Sequence, residues 1–138
     1  MGNEDYYSYV FDCDGVVLNS NKLKTECFRE LLNKEKKEHV DLFIEYHVSN
    51  QGINRYEKLR YFFEQIRKVN NYEDEYNFLL KKFTELSFEK LCNSNFTDGI
   101  VDFLSKLKYK NCNSYIVSGS DENELKKIFE KKKHIAIL

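Results

Sequence analysis

Tyr6-Tyr7-Ser8-Tyr9-Val10-Phe11-Asp12-Cys13-Asp14-Gly15-Val16-Val17-Leu18 is the stretch on which the reading of this chain turns. Its aromatic and β-branched start predicts a buried strand over residues 6–12. The strand runs directly into two carboxylates separated by one residue. Side chains alternate with a period of two, so Asp12 and Asp14 project to one side and Cys13 to the other. Gly15 then allows a turn, because it accepts backbone angles that other residues avoid. Two acids at the exit of an apolar strand are a chemical arrangement, and the rest of the chain is read for what completes it.

The 138 residues suit one small domain, or one domain carrying an insertion. A net charge of −1 provides no field to draw the chain to nucleic acid or anionic lipid, and neither partner is expected. No apolar run approaches the roughly 20 residues of a membrane span. Residues 1–5 are acidic and lack a signal-peptide pattern, so a cytoplasmic location is expected. Cys13, Cys27, Cys92 and Cys112 form no C-x-x-C pair, and His39, His47 and His134 are scattered. Zinc-site spacing is therefore absent, and four reduced thiols are expected. The carboxylates flanking Cys13 disfavour a thiolate nucleophile there.

Beyond Leu18 the pattern turns helical. Leu23, Cys27, Phe28, Leu31 and Leu32 share a face, Lys34–Glu38 reads as a solvated helix end, and residues 41–47 read as a short helix. A helix over about 54–68 is predicted to turn Tyr56, Leu59, Phe62, Phe63 and Ile66 inward. Arg55 at its start is expected at the surface. A further helix from Glu73 to about Leu91 carries a stripe of Tyr76, Leu79, Leu80, Phe83, Leu86 and Leu91. Residues 20–92 thus read as an all-helical insertion. After a linker at 93–97, a helix bears Ile100, Val101, Phe103, Leu104 and Leu107. Ser114–Val117 reads as a second strand ending at Ser118-Gly119-Ser120. The next helix begins near Asp121, where Asp121 and Glu124 have capping-box spacing. Leu125, Ile128 and Phe129 form its inner face, and Lys131–Lys133 suit its negative end. Ile135–Leu138 resembles the start of another strand.

Helices between and after two apolar strands suggest a parallel α/β sheet, in which ligands sit at the carboxyl ends of the strands. A carboxylate there can attack phosphorus to form an acyl phosphate, if a hard cation such as Mg²⁺ offsets the repulsion of the phosphoryl group. A second carboxylic acid can protonate the leaving alcohol and later activate water. Ser118 and the Gly119 N–H, at a helix entrance, can hold phosphate oxygens.

Phe11-Asp12-Cys13-Asp14-Gly15-Val16-Val17 resembles the first motif, D-x-D-G-V/T, of the haloacid dehalogenase-like hydrolase superfamily. Tyr115-Ile116-Val117-Ser118-Gly119-Ser120 resembles its second, an apolar strand ending in Ser or Thr. The helical insertion is similar to the family's cap of the phosphoglycolate phosphatase and β-phosphoglucomutase type. The resemblance implies a parallel Rossmannoid core, incomplete here, from 1–19 and 93–138, with a helical cap over 20–92. It implies that Asp12 is the nucleophile and a Mg²⁺ ligand. Asp14 would be the general acid/base and bind Mg²⁺ through its backbone carbonyl, while Ser118 and Gly119 bind phosphate. The second aspartate favours phosphoryl transfer over dehalogenation. The family's third and fourth motifs, a lysine and one or two acids that hold Mg²⁺, come after the helix that follows the second motif. No residue here is assigned to either, and the chain is expected to be a truncated frame or fragment. The function implied is a Mg²⁺-dependent phosphatase acting on a small phosphorylated metabolite. The alternatives are an inactive truncated remnant and a sugar-phosphate mutase.

Overall fold

The alternation in the opening stretch places a strand against a helix on one face only. The computed structural model describes residues 8–132. Strand β1 (Ser8–Asp12) pairs in parallel with β2 (Asn113–Val117), from Ser8 opposite Asn113 to Asp12 opposite Val117. Tyr9, Phe11, Ser114 and Ile116 are half-buried on one face. Over that face Phe103, from helix α5 (Ile100–Tyr109), meets Tyr9 and Phe11 edge-on, with both centroid separations at 6.0 Å. On the opposite face Val10, Tyr115 and Val117 are all more than half exposed. The α/β class expected from the sequence is present as a partial core, with two strands among the described residues. Tyr6, Tyr7, Lys133 and the strand expected at 135–138 lie outside the described residues.

Two compact units divide the chain. One ends at Asn21 and resumes at Leu91; the other is Lys22–Lys90. The second unit contains most of α1 (Asn21–Leu31), α2 (Lys37–Ser49), α3 (Arg55–Tyr61) and most of α4 (Glu73–Cys92). Its core gathers Phe28, Phe43, Leu59, Phe62, Phe63 and Phe83, each 2% exposed or less. Phe28 stacks on Phe83 with centroids 4.3 Å apart and meets Phe43 edge-on at 5.0 Å. Fully burying one such ring stabilises by about 1.5–3 kcal/mol, so the aromatic stripe read from the sequence forms the core. Helix α6 (Glu122–Lys131) belongs to the first unit and buries Ile128 and Phe129.

Several local readings are corrected. Helix α2 begins at Lys37, so part of the charge run opens a helix. Residues Phe62–Arg67 form a π-helical turn, and Lys68 ends it in the left-handed region at φ 54°. Tyr56 is exposed, whereas Arg55 and Lys58 are buried. The Arg55 guanidinium lies over the Phe83 ring, 5.1 Å from its centroid, and Nη1 donates to Thr84 Oγ1 at 3.0 Å. Asp121 makes no side-chain capping hydrogen bond. Lys132 reaches carbonyls outside its own helix, those of Cys92 at 3.4 Å and Ser94. The four cysteines are free thiols, and burial pushes the Cys27 thiol up to about 11, away from reactive thiolate.

The turn after β1 decides where its acids stand. Cys13 O accepts from the N–H groups of Val17 and Leu18, both at 3.0 Å, and Gly15 N donates to Leu18 O at 2.7 Å. Gly15 adopts φ 79°, and a Cβ there would lie 2.3 Å from Asn21 Nδ2. Gly119 differs: its φ is not positive, and a Cβ would meet nothing within 4 Å. Gly15→Ala is expected to cost about 1–2 kcal/mol through the left-handed backbone alone, with displacement of Asn21 in addition. Gly119→Ala is expected to stay within about 0.5 kcal/mol of the parent. Urea unfolding of the two variants side by side checks the contrast.

A second expectation concerns His47, which is 3% exposed. The Lys58 ammonium donates to its Nδ1 at 2.9 Å, so the ring proton sits on Nε2 and is shared with Thr25 Oγ1 at 3.0 Å. Burial first, then the nearby Lys58 and Lys24 charges, lower its pKa from 6.5 to about 4. Above pH 6.5 the ring is neutral folded or unfolded, and the stabilisation is fully present. As pH falls from 6.5 towards 4 only the unfolded chain takes up the proton. Stability is therefore lost across that window, by on the order of 3 kcal/mol at about 1.4 kcal/mol per unit. NMR titration should show the His47 ring neutral at pH 5, and His47→Gln should remove this part of the pH dependence of urea unfolding.

Candidate active site

The parallel register brings the two polar strand ends to one edge. Asp12 closes β1 opposite Val117, the residue immediately before Ser118. Asp12 is exposed, Cys13 is 1% exposed and Asp14 is half-buried. The alternation read from the sequence therefore persists through the turn, with both acids accessible and the thiol packed away.

Each acid is oriented by a hydrogen bond. Asp12 Oδ1 accepts the Cys13 N–H at 2.8 Å, which leaves Oδ2 as the outer oxygen. Asp14 Oδ1 accepts from the Ser20 hydroxyl at 2.7 Å. Ser20 is wholly buried just before α1, and sequence reasoning had no signal for its bond to Asp14 beyond a serine six residues downstream.

At the end of β2, Ser118 Oγ accepts the Ser120 N–H at 3.1 Å. An oxygen that accepts in this way still carries its own hydrogen to donate. The segment turns from there into α6, whose first residues are Glu122 and Asn123. Gly119 is exposed and the space where its Cβ would be is open, so a ligand atom can approach its backbone. Asp12, Asp14, Ser118 and Gly119 thus belong to one unit and one sheet edge.

The oxygen donors here are hard. Mg²⁺ is commonly held by one or two carboxylates and keeps several waters. Asp12 and the Asp14 segment fit such a partial set. Among the described residues no group of three or more His, Cys, Asp or Glu side chains could hold a metal ion. None of the described helices is long and apolar enough to cross a membrane.

Comparison with known proteins agrees on the fold. A hydrolase from Pseudomonas syringae is 17% identical with a TM-score of 0.70; the match covers 91% of this chain and 56% of that one. A Thermotoga maritima protein provisionally described as a β-phosphoglucomutase is 15% identical, TM-score 0.63, over 95% of this chain and 58% of its own. The YfnB protein of Bacillus subtilis, solved bound to magnesium, is 18% identical, TM-score 0.65, over 96% of this chain and 62% of its own. The chain thus spans a little over half the length of these structures. No curated protein matches it. The model of one family, described as haloacid dehalogenase-like hydrolase, matches residues 9–137. With that match over nearly the whole sequence, and with the two-strand edge carrying Asp12, Asp14 and Ser118, the chain belongs to the haloacid dehalogenase-like hydrolases.

Proposed function

We propose that the sheet edge is built for Mg²⁺-dependent hydrolysis of a small phosphomonoester through an aspartyl-phosphate on Asp12. The observation that carries the reading is the register of β1 on β2, which sets an accessible carboxylate beside a serine–glycine segment able to donate to phosphate. Asp12 and the Asp14 backbone carbonyl would hold Mg²⁺. When bound, the ion offsets the charge between the attacking carboxylate and the phosphoryl oxygens.

Asp12 Oδ2 forms a bond to phosphorus as the ester P–O bond breaks, and the departing alkoxide takes a proton from the Asp14 carboxyl. The Asp14 carboxylate then removes a proton from water. The resulting hydroxide bonds to phosphorus, releasing phosphate and restoring the Asp12 carboxylate. The Ser118 hydroxyl and the Gly119 N–H hold the equatorial oxygens through both steps.

A sugar-phosphate mutase would use the same first step, and likeness to the Thermotoga maritima protein keeps that reading beside the phosphatase. The product separates the two: an isomerised sugar phosphate or free phosphate. A third reading is a chain that folds this edge without turnover. Incubation with p-nitrophenyl phosphate and Mg²⁺ is expected to release phosphate. Asp12→Asn should lower kcat by at least about a hundredfold, in line with losing the nucleophile. Equal turnover in that variant rejects Asp12 as nucleophile, and no turnover in the parent favours the third reading.

A further inference from the structure

The chain leaves the sheet unit at Asn21 and re-enters it at Leu91, near the end of α4. Its way back is the polar segment Asn93-Ser94-Asn95-Phe96-Thr97, which lies between α4 and α5. The last carbonyls of a helix have no partner within it and carry the negative end of its dipole. At the end of α4 they are met twice. The Ser94 N–H and hydroxyl donate to Leu91 O at 3.1 and 2.6 Å. The Lys132 ammonium, reaching over from the end of α6, donates to Cys92 O at 3.4 Å and to Ser94 O.

The same ammonium lies 5.1 Å from the centroid of the Phe96 ring. Three residues earlier in α6, and so on the same face, Phe129 stacks on Phe96 with centroids 6.4 Å apart. The end of α6 thus grips Cys92, Ser94 and Phe96. The sequence pattern gives Lys131–Lys133 to the negative end of α6 itself; Lys132 serves the end of α4 instead. The return segment in turn holds the chain that leaves β1. Asn19 N donates to Asn95 O at 2.9 Å, Leu18 forms an antiparallel bridge with Phe96, and Thr97 N donates to Val17 O at 3.0 Å. The Val17 and Leu18 N–H groups donate to Cys13 O, beside Asp12.

We propose that Lys132 is a cationic strap on the return segment. Its ammonium supplies the charge that closes α4 and fixes Cys92–Phe96 against α6. With that segment fixed, Asn95 and Phe96 present a ready edge to Leu18 and Asn19. Release of the strap lets the two crossings separate, and the turn behind Asp12 loses its outer support. The device does not depend on the phosphatase reading. A lysine stem packs on apolar surface with or without its charge, so removing the charge alone separates the strap from simple packing.

Two measurements on the full chain test it. In the parent, NMR should show contacts between the Lys132 Hε protons and the Phe96 ring; their absence overturns the proposal. Hydrogen exchange then compares the parent with Lys132→Met, which keeps a stem and drops the charge, and with Lys132→Arg, which keeps the charge. In Lys132→Met the amides of Asn19, Ser94 and Thr97 should exchange at least about tenfold faster, the scale of one hydrogen bond to a charged group. The amides of Leu32 and Val69, bonded within the helical unit to Phe28 O and Phe63 O, should keep parent rates. Lys132→Arg should restore protection at the first three. Parent rates at all three in Lys132→Met overturn the proposal, as does equal loss in both units, which marks general destabilisation. Exchange as fast in Lys132→Arg as in Lys132→Met also overturns it. If Lys132→Met does not fold, Lys132→Gln, likewise uncharged, carries the same comparison.

Discussion

The parallel ladder between β1 and β2 is the constraint on which the remaining chemistry depends. Side chains alternate along a strand, so a slip of one residue would turn Tyr9 and Phe11 away from Phe103 and expose them. The aromatic packing under the sheet therefore sets the register. The register in turn sets Asp12 level with Val117 and leaves Ser118 as the first residue beyond the ladder. The acids and the serine–glycine segment need no direct bond to each other, because the ladder delivers both to one edge.

The helical unit solves a different problem. It buries Arg55, Lys58 and His47 among phenylalanines, and unpartnered charge in such surroundings is costly. Each group is met by a partner from another part of the unit. Thr84 and the face of Phe83 receive Arg55, while a neutral His47 receives Lys58 and shares its remaining proton with Thr25. α1, α2, α3 and α4 are linked by these contacts as well as by apolar packing, which fixes their rotation about their own axes more narrowly than hydrophobic contact alone.

Much of this was legible before the structure. Asp12-Cys13-Asp14-Gly15 after an apolar run marked the edge, and the spacing of Phe28, Phe62, Phe63 and Phe83 marked the helical core. What escaped was determined by partners distant in sequence. Hydrophobic periodicity put Tyr56 inside and Arg55 outside, because it could not register that Phe83 and Thr84 would receive a guanidinium. The Asp121–Glu124 spacing promised a capping box whose Asp121 bond does not form. The pairing of Leu18 with Phe96, which carries Ser20 to Asp14, joins two segments on either side of the helical unit and has no local signal.

The same ladder has a kinetic side. Ser8 pairs with Asn113, so most of the chain lies between the two partners. Joining them costs the closure entropy of a very long loop, whereas the contacts of α3 and the π-helical turn close over a few residues. During folding, the helical segment can gather its phenylalanines early, and the edge that carries Asp12 and Ser118 is completed late. The part of the molecule with the chemistry is thus the part whose formation waits for segments on both sides of the helical unit.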